Sequence, residues 1–358
     1  MRIERVRDSP IIMTQARLIP RKRLRWIPPQ FRAAHEYCFF LHDECVRALV
    51  EYEKARAHHV SFKFKRKSDA QKYERLASET DPINAMRELG YGRQARKLVL
   101  SQITMALVSD CMHHIYEALT CIERRKIVVA FNLLRKPLKD SLLMLSWMFG
   151  DEDAFYAAFA SGKPELLSQK RLGNIRKDIF TKAIAKTDLT AVFDPDTLNE
   201  VLYDRKSNDS FEPLFQHAVH LITVEHLELR TEAENFNFVF KNYTDPDVDE
   251  GIYRWLPYVM LYLSHVIMGL FDRMRPMDKG TKSAFFVRSA NGYSLATGIN
   301  AKQTLAEMER WFEGRLSCPR CKKPLRITQH NGLRILLTES FRCTSCRASQ
   351  PFPFSWIF

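Results

Sequence analysis

The chain has 358 residues, 46% hydrophobic and 27% charged, a composition that suits one large globular domain and a small one. Its formal charge is +13 and it has only 12 glycines, with no low-complexity tract and no repeat of solenoid period. The excess charge sits at the ends: residues 1–32 hold nine Lys/Arg against Glu4 and Asp8, and residues 315–358 hold eight against Glu339, around a nearly neutral body. Such local concentration is what a polyanion-binding surface needs; a solubilising surface is the plainer alternative.

Residues 1–32 read as a basic arm. Pro10, Pro20, Pro28 and Pro29 interrupt any helix, and RKRLRW at 21–26 supplies Arg21, Lys22, Arg23 and Arg25 as candidate phosphate contacts beside Trp26. The Arg-rich start lacks the continuous apolar stretch of a secretory signal, so a reducing, cytoplasmic setting is expected.

A helical domain is expected over 33–275. From Ala33 to about His59, the residues Cys38, Leu41, Cys45, Leu49 and Tyr52 fall on one helical stripe. KFKRK at 63–67 is a basic connection, and Ser68 with Gln71 has capping-box spacing for the next helix. Asp81-Pro82 is a cap with proline at the first helical position, and Gly90 supplies a stop. A long helix follows over 93–123, with Val99, Ile103, Leu107, Cys111 and Ile115 on one face. Another spans about 126–149 and is kinked or divided at Pro137. Cys38, Cys45, Cys111 and Cys121 lie in these partly apolar patterns, where buried free thiols are the default.

Asp194-Pro195 opens a further short helix. In NFNFVF at 235–240 every second residue is phenylalanine (Phe236, Phe238, Phe240), a strand signal. DPDVDEG places Asp245, Asp247 and Asp249 alternately but lacks the glycine and glutamate spacing of a calcium loop, so a solvated cap at a helix start is expected. Leu256–Phe271 is apolar but shorter than the roughly 20 residues of a membrane span, and reads as a buried core helix with no membrane partner. Residues 276–315 read as a linker that leads, through a cap at Asn300, into a helix from 301.

The end of the chain carries the strongest signal. Cys318, Cys321, Cys343 and Cys346 form two C-x-x-C pairs separated by 21 residues. Four thiolates suit one tetrahedral Zn²⁺ and leave no open position, so the zinc is expected to be structural. The metallated module nets about +5, because four thiolates and one Zn²⁺ sum to −2. Asn331-Gly332 is a hairpin-turn signal, with 325–328 and 335–338 as flanking strands. Cys-Pro-x-Cys, the second C-x-x-C and this hairpin pattern resemble the zinc-ribbon family over residues 316–353. On the module, Arg320, Lys322, Lys323, Arg326, Arg334, Arg342 and Arg347 are candidate phosphate contacts. Phe341, Phe352, Phe354 and Trp356 either stack on bases or dock the module, within residues 316–358, onto the body.

In the body, AFNLLRKPLKDSLLMLSWMF at 130–149 and HAVHLITVEHLELRTEAENFNFVF at 217–240 resemble segments of the HEPN superfamily of helical domains. That resemblance implies an α-helical bundle, often dimeric, frequently acting on RNA in bacterial defence. Catalytic members carry an Arg followed, after a gap of four to six residues, by a His. No histidine here has that partner, which leaves only Arg135 and His220 as catalytic candidates brought together in space. The P-loop, dinucleotide-binding, zincin and nucleophile-elbow motifs are missing.

The expected architecture is mainly α: a multi-helix bundle with a small C-terminal β-hairpin zinc ribbon. The expected function is nucleic-acid binding in a defence or regulatory role. The alternatives are a protein-interaction adaptor, with a protein partner or a second copy as its target, and a HEPN-like ribonuclease.

Overall fold

A computed structural model describes residues 15–207, 209–220, 222, 246–312 and 316–358, and the chain is mainly helical. Helices α1 (Arg32–Lys54), α2 (Lys67–Glu79), α3 (Pro82–Glu88), α4 (Gly92–Glu123) and α5 (Ile127–Arg135) lead into a π-helical turn at Lys136–Ser141. Then come α6 (Leu142–Gly150), α7 (Glu152–Phe159), α8 (Gln169–Leu172), α9 (Arg176–Ile184), α10 (Pro195–Tyr203) and α11 (Phe211–Val219). The last helices are α12 (Pro246–Met274), α13 (Lys279–Thr297), α14 (Ala301–Phe312) and α15 (Gln329–Thr338). Strands β1 (Ser340–Arg342) and β2 (Ser349–Pro351) form an antiparallel pair in which Phe341 faces Gln350. The strand expected over 235–240 lies outside the described residues.

Helix α1 is the axis of the bundle. Every residue from Ala33 to His42 is buried, because α12, α4 and α13 all pack against α1. The expected stripe of Cys38, Leu41 and Cys45 is part of this core, and Cys38, Cys45 and Cys111 are buried free thiols, with Cys121 half-buried. Asp81 caps α3 by accepting from the backbone N–H groups of Ile83 and Asn84, and Asp194 caps α10 through Thr197. Pro137 has no N–H to offer an α-helical ladder, and the wider π turn absorbs it. Val248–Met274 is long and apolar enough to cross a membrane, but 78% of its apolar window is buried inside the fold.

Several expectations are corrected. Ser68 does not cap α2, which starts at Lys67 after an extended Arg66. In α4 the expected face is rotated by about one residue: Leu100, Val108, Cys111 and Ile115 are buried, while Val99, Ile103 and Leu107 are half-buried at its edge. Asp249 is a buried partner of Arg125 and not a solvated cap. The expected linker is largely α13, capped by Asp278 and ended by Gly298 in the left-handed region at φ 83°. Its apolar pattern is weak because small residues let it approach α1. A Cβ on Gly292 would lie 3.1 Å from the Tyr37 ring, and the Tyr37 hydroxyl donates to the Ser289 carbonyl.

The two ends of the chain join the body. From Gln15 onwards the expected arm is packed: Ala16, Ile19, Leu24 and Ile27 are buried, and Glu36 of α1 accepts from the Ala16 and Ile19 N–H groups. The C-terminal module shares the main core through Leu333, Leu336, Leu337, Phe341 and Phe354. Buried Arg288 of α13 fastens it, donating from Nε to the Leu336 carbonyl at 2.7 Å and pairing with Glu44 of α1 at 3.1 Å.

Candidate metal centre

The four cysteines sit on two turns of the same design. In the first, the Cys318 N–H donates to the Lys323 carbonyl and the Lys322 N–H to the Cys318 carbonyl. In the second, the Cys343 N–H donates to the Ala348 carbonyl and the Arg347 N–H to the Cys343 carbonyl. Lys322 at φ 58° and Arg347 at φ 59° take the left-handed conformation at matching positions. Each side chain costs roughly 1 kcal/mol there, a strain that closes the turn around the sulfurs. A bridge between Ser317 and Pro324 supports the first turn, and the β1–β2 pair supports the second.

The sulfurs converge. All four Sγ atoms lie within 4.8 Å of one another, with Cys318 to Cys346 at 3.6 Å and Cys321 to Cys343 at 3.7 Å. A disulfide needs about 2.05 Å, whereas a tetrahedron with metal–sulfur bonds of about 2.3 Å has an edge of about 3.8 Å. The donors therefore fit a four-coordinate metal ion. Backbone N–H groups favour thiolates here. Those of Cys346 and Ser345 bring the Cys343 thiol down to about 6, and those of Cys321 and Arg320 hold Cys318 below its ordinary value. Cys346 is instead pushed up to about 11: the Ala348 N–H favours its thiolate, but desolvation and the neighbouring sulfurs outweigh it. Four sulfurs this close ionise together only around a cation.

The hairpin expected at Asn331-Gly332 is absent, because this dipeptide lies in the first turn of α15. Thr328 caps that helix by accepting from the Asn331 N–H, and the following residues Leu333–Leu337 are all buried. The hairpin that does exist spans the second C-x-x-C. Asn331 has a role the sequence did not reveal: its amide donates to the Arg326 carbonyl and accepts from the Arg342 N–H at 3.0 Å, clamping the chain after one turn to the chain before the other. Gly332 is needed for packing, since a Cβ there would lie 2.7 Å from Leu295 of α13.

The module also meets the N-terminal segment. His330 lies against the Gln15 backbone, and burial first, then the charges of Arg334, Arg17 and Arg342, lower its pKa. Burial first, then Arg17 and Arg342, lower the Arg334 pKa. Arg334 is buried; its Nη2 donates to Ser340 Oγ at 2.7 Å while its Nε has no partner. Among the described residues none of these three guanidinium groups is in a salt bridge; Glu36, whose charge reaches Arg17 and Arg334, accepts from backbone N–H groups.

The other candidates are dispersed. Arg21, Lys22, Arg25, Lys322, Lys323 and Arg326 are exposed. Arg23 is engaged in a two-bond pair with Glu123, both at 2.8 Å, which withdraws it from the candidate phosphate contacts. In the tail, Phe354 is buried and Phe352 packs on Phe312 and Phe341, which settles those rings as docking residues; Trp356 stays 88% exposed. Arg135 is half-buried at the end of α5 and His220 is exposed just after α11. Neither lines the cleft at the start of α4 or the one beside Trp26. Comparison with family models, with curated proteins and with solved structures found no match for the chain.

Proposed function

We propose that this protein binds nucleic acid, in a defence or regulatory role, through a basic face built jointly from its N-terminal segment and its metal module, with one structural Zn²⁺ in the four-cysteine site. The observation that carries this reading is the packing of the N-terminal segment on the module at Gln15 and His330, which brings Arg17 within electrostatic reach of Arg334 and Arg342. Holding like charges together with no salt bridge among the described residues is unfavourable in isolation, and a phosphate backbone relieves it. Exposed Arg21 and Lys22 extend the charge on the N-terminal segment, and Lys322, Lys323 and Arg326 extend it on the module. Zinc is the metal that four thiolates and closed tetrahedral geometry favour, and eight unpaired cysteines suit a reducing compartment such as the cytoplasm.

The test is fluorescence anisotropy of labelled single-stranded and duplex oligonucleotides with the full chain across a salt series. Affinity should fall with salt at a log–log slope of roughly −0.7 per phosphate contact for single strands and −0.9 for duplex DNA. Replacing Arg17 and Arg342 together by Ala should lower both affinity and slope, and so should replacing Lys322, Lys323 and Arg326. No binding at low salt would overturn the reading in favour of a protein-interaction adaptor.

A further inference from the structure

The N-terminal segment forms a second feature. A cleft of about 510 Å³ opens between the segment and the end of α4, a volume that holds one nucleotide. Trp26, Pro28 and Pro29 line it together with Arg32, Arg124 and Arg125. Among the described residues its lining holds four guanidinium groups, counting Arg25, and one carboxylate, Asp249, which pairs with Arg125.

Trp26 is the unusual member. Its neighbours Leu24 and Ile27 are fully buried, yet its own side chain is 55% exposed, with the Arg25 guanidinium 4.9 Å from the ring centroid. An indole left open beside a basic cleft offers a face for stacking, and every base has a π face to meet it. The cleft is held in shape before any ligand arrives. Arg23 locks the segment to Glu123 of α4, Arg32 Nε donates to the Ile27 carbonyl at 2.9 Å, and two successive prolines stiffen the wall. The residue at which α4 gives way to the next turn, Arg125, is left-handed at φ 59°, and that turn presents Arg124 and Arg125 to the cleft. Pre-organisation of this kind lowers the entropic cost of binding.

We infer that this cleft takes one unstacked nucleobase of a single strand, its ring on Trp26 and its phosphodiester on Arg32 and Arg124. The inference rests on the nucleic-acid reading above and narrows it: a duplex keeps its bases stacked inside and cannot fill the cleft without losing pairing.

The experiment measures the full chain against fluorescein-labelled 12-nucleotide oligothymidine, oligouridine and a 12-base-pair duplex. Trp26→Ala should weaken single-strand binding about tenfold and leave the salt slope and duplex binding unchanged, since loss of one stacked base removes no phosphate contact. Trp26→Phe should restore most of the affinity, and Arg124→Ala should reduce the single-strand slope by about 0.7. The exposure of Trp26 means that thermal unfolding of its variants should match the parent. Whichever of the two single strands shows the tenfold loss identifies the polymer. If Trp26→Ala changes nothing while the Arg17/Arg342 double variant still weakens binding, the cleft assignment is wrong and the basic-face reading stands. Failure of the parent chain to bind any of the three probes overturns both.

Discussion

Asn331 and His265 show how much single side chains decide in this fold. Asn331 is buried, and its amide serves the Arg326 carbonyl and the Arg342 N–H, one from each side of the metal site. Asn331→Ala would leave the Arg342 N–H without this partner and the Arg326 carbonyl with the Thr328 N–H alone, at a cost of about 1–3 kcal/mol. It should also weaken metal affinity by about tenfold, as loss of a supporting shell commonly does. Competition with a colorimetric chelator reads the second effect; an unchanged affinity would reduce Asn331 to a packing residue. His265 lies among Phe193, Phe285 and Phe286, with Nε2 3.0 Å from Ser289 Oγ, and burial lowers its pKa from 6.5 to about 3. Below pH 6.5 the unfolded chain therefore binds a proton at this position that the folded chain refuses until about pH 3. Stability from this group is fully present above the upper value and is lost as pH falls through that window, at up to about 1.4 kcal/mol per pH unit. His265→Gln keeps a neutral partner for Ser289. Urea unfolding at a series of pH values should show a shallower acid loss in the variant, and parallel curves would dismiss His265 as a source.

At the scale of elements, what was legible in the sequence follows from where the physical signal is local. The two C-x-x-C pairs, the Asp-Pro caps of α3 and α10, and the apolar run of α12 each act within a few residues, so the sequence alone identifies them. The failures share a different cause. The buried face of helix α13 holds Ala284, Arg288, Ser289 and Gly292 beside Phe285 and Leu295, so its pattern lacks the apolar stripe of an amphipathic helix. Asn331-Gly332 has the composition of a turn, but both residues answer to distant partners: Asn331 to the backbone of Arg326 and Arg342, and Gly332 to Leu295. Tertiary packing overrode a local preference there, and Thr328 as N-cap was the available cue. The packing of residues 15–32 was hidden for the same reason. Their charge was visible, but their anchors are Glu36 and Glu123, which lie in other elements. Of the candidate site, the metal ligands were readable, whereas the meeting of Arg17 with Arg334 and Arg342 was not, because it depends on how the chain ends return to α1.

For the molecule as a whole, that return makes the metal site part of the fold's stability. An isolated metal module would melt alone when its ion is removed. Here α15 contributes Leu333, Leu336 and Leu337 to the same core as α1 and α13, Arg288 ties α13 to both α1 and α15, and the Gln15 backbone lies on His330. Removing the ion takes away the constraint on both turns and leaves thiolates to repel one another at the edge of that core. The purified chain should contain one zinc, and Cys321→Ser should contain none. Because the core is shared, calorimetry of the variant should show one unfolding transition at a lower temperature, not a small early transition followed by an unmoved main one. Chelation of the parent protein should reproduce the shift, and readdition of zinc should reverse it. A separate early transition, with the main one unchanged, would show that the contacts of α15 are too weak to couple the module to the body. Protein purified under reducing conditions with no bound metal would remove the zinc assignment itself. Under the proposed function the same coupling would link the ion to binding, since Arg334 and Arg342 keep their places only while α15 and β1 do. The zinc-free variant should therefore lose affinity for nucleic acid even though none of its Lys or Arg residues has been changed.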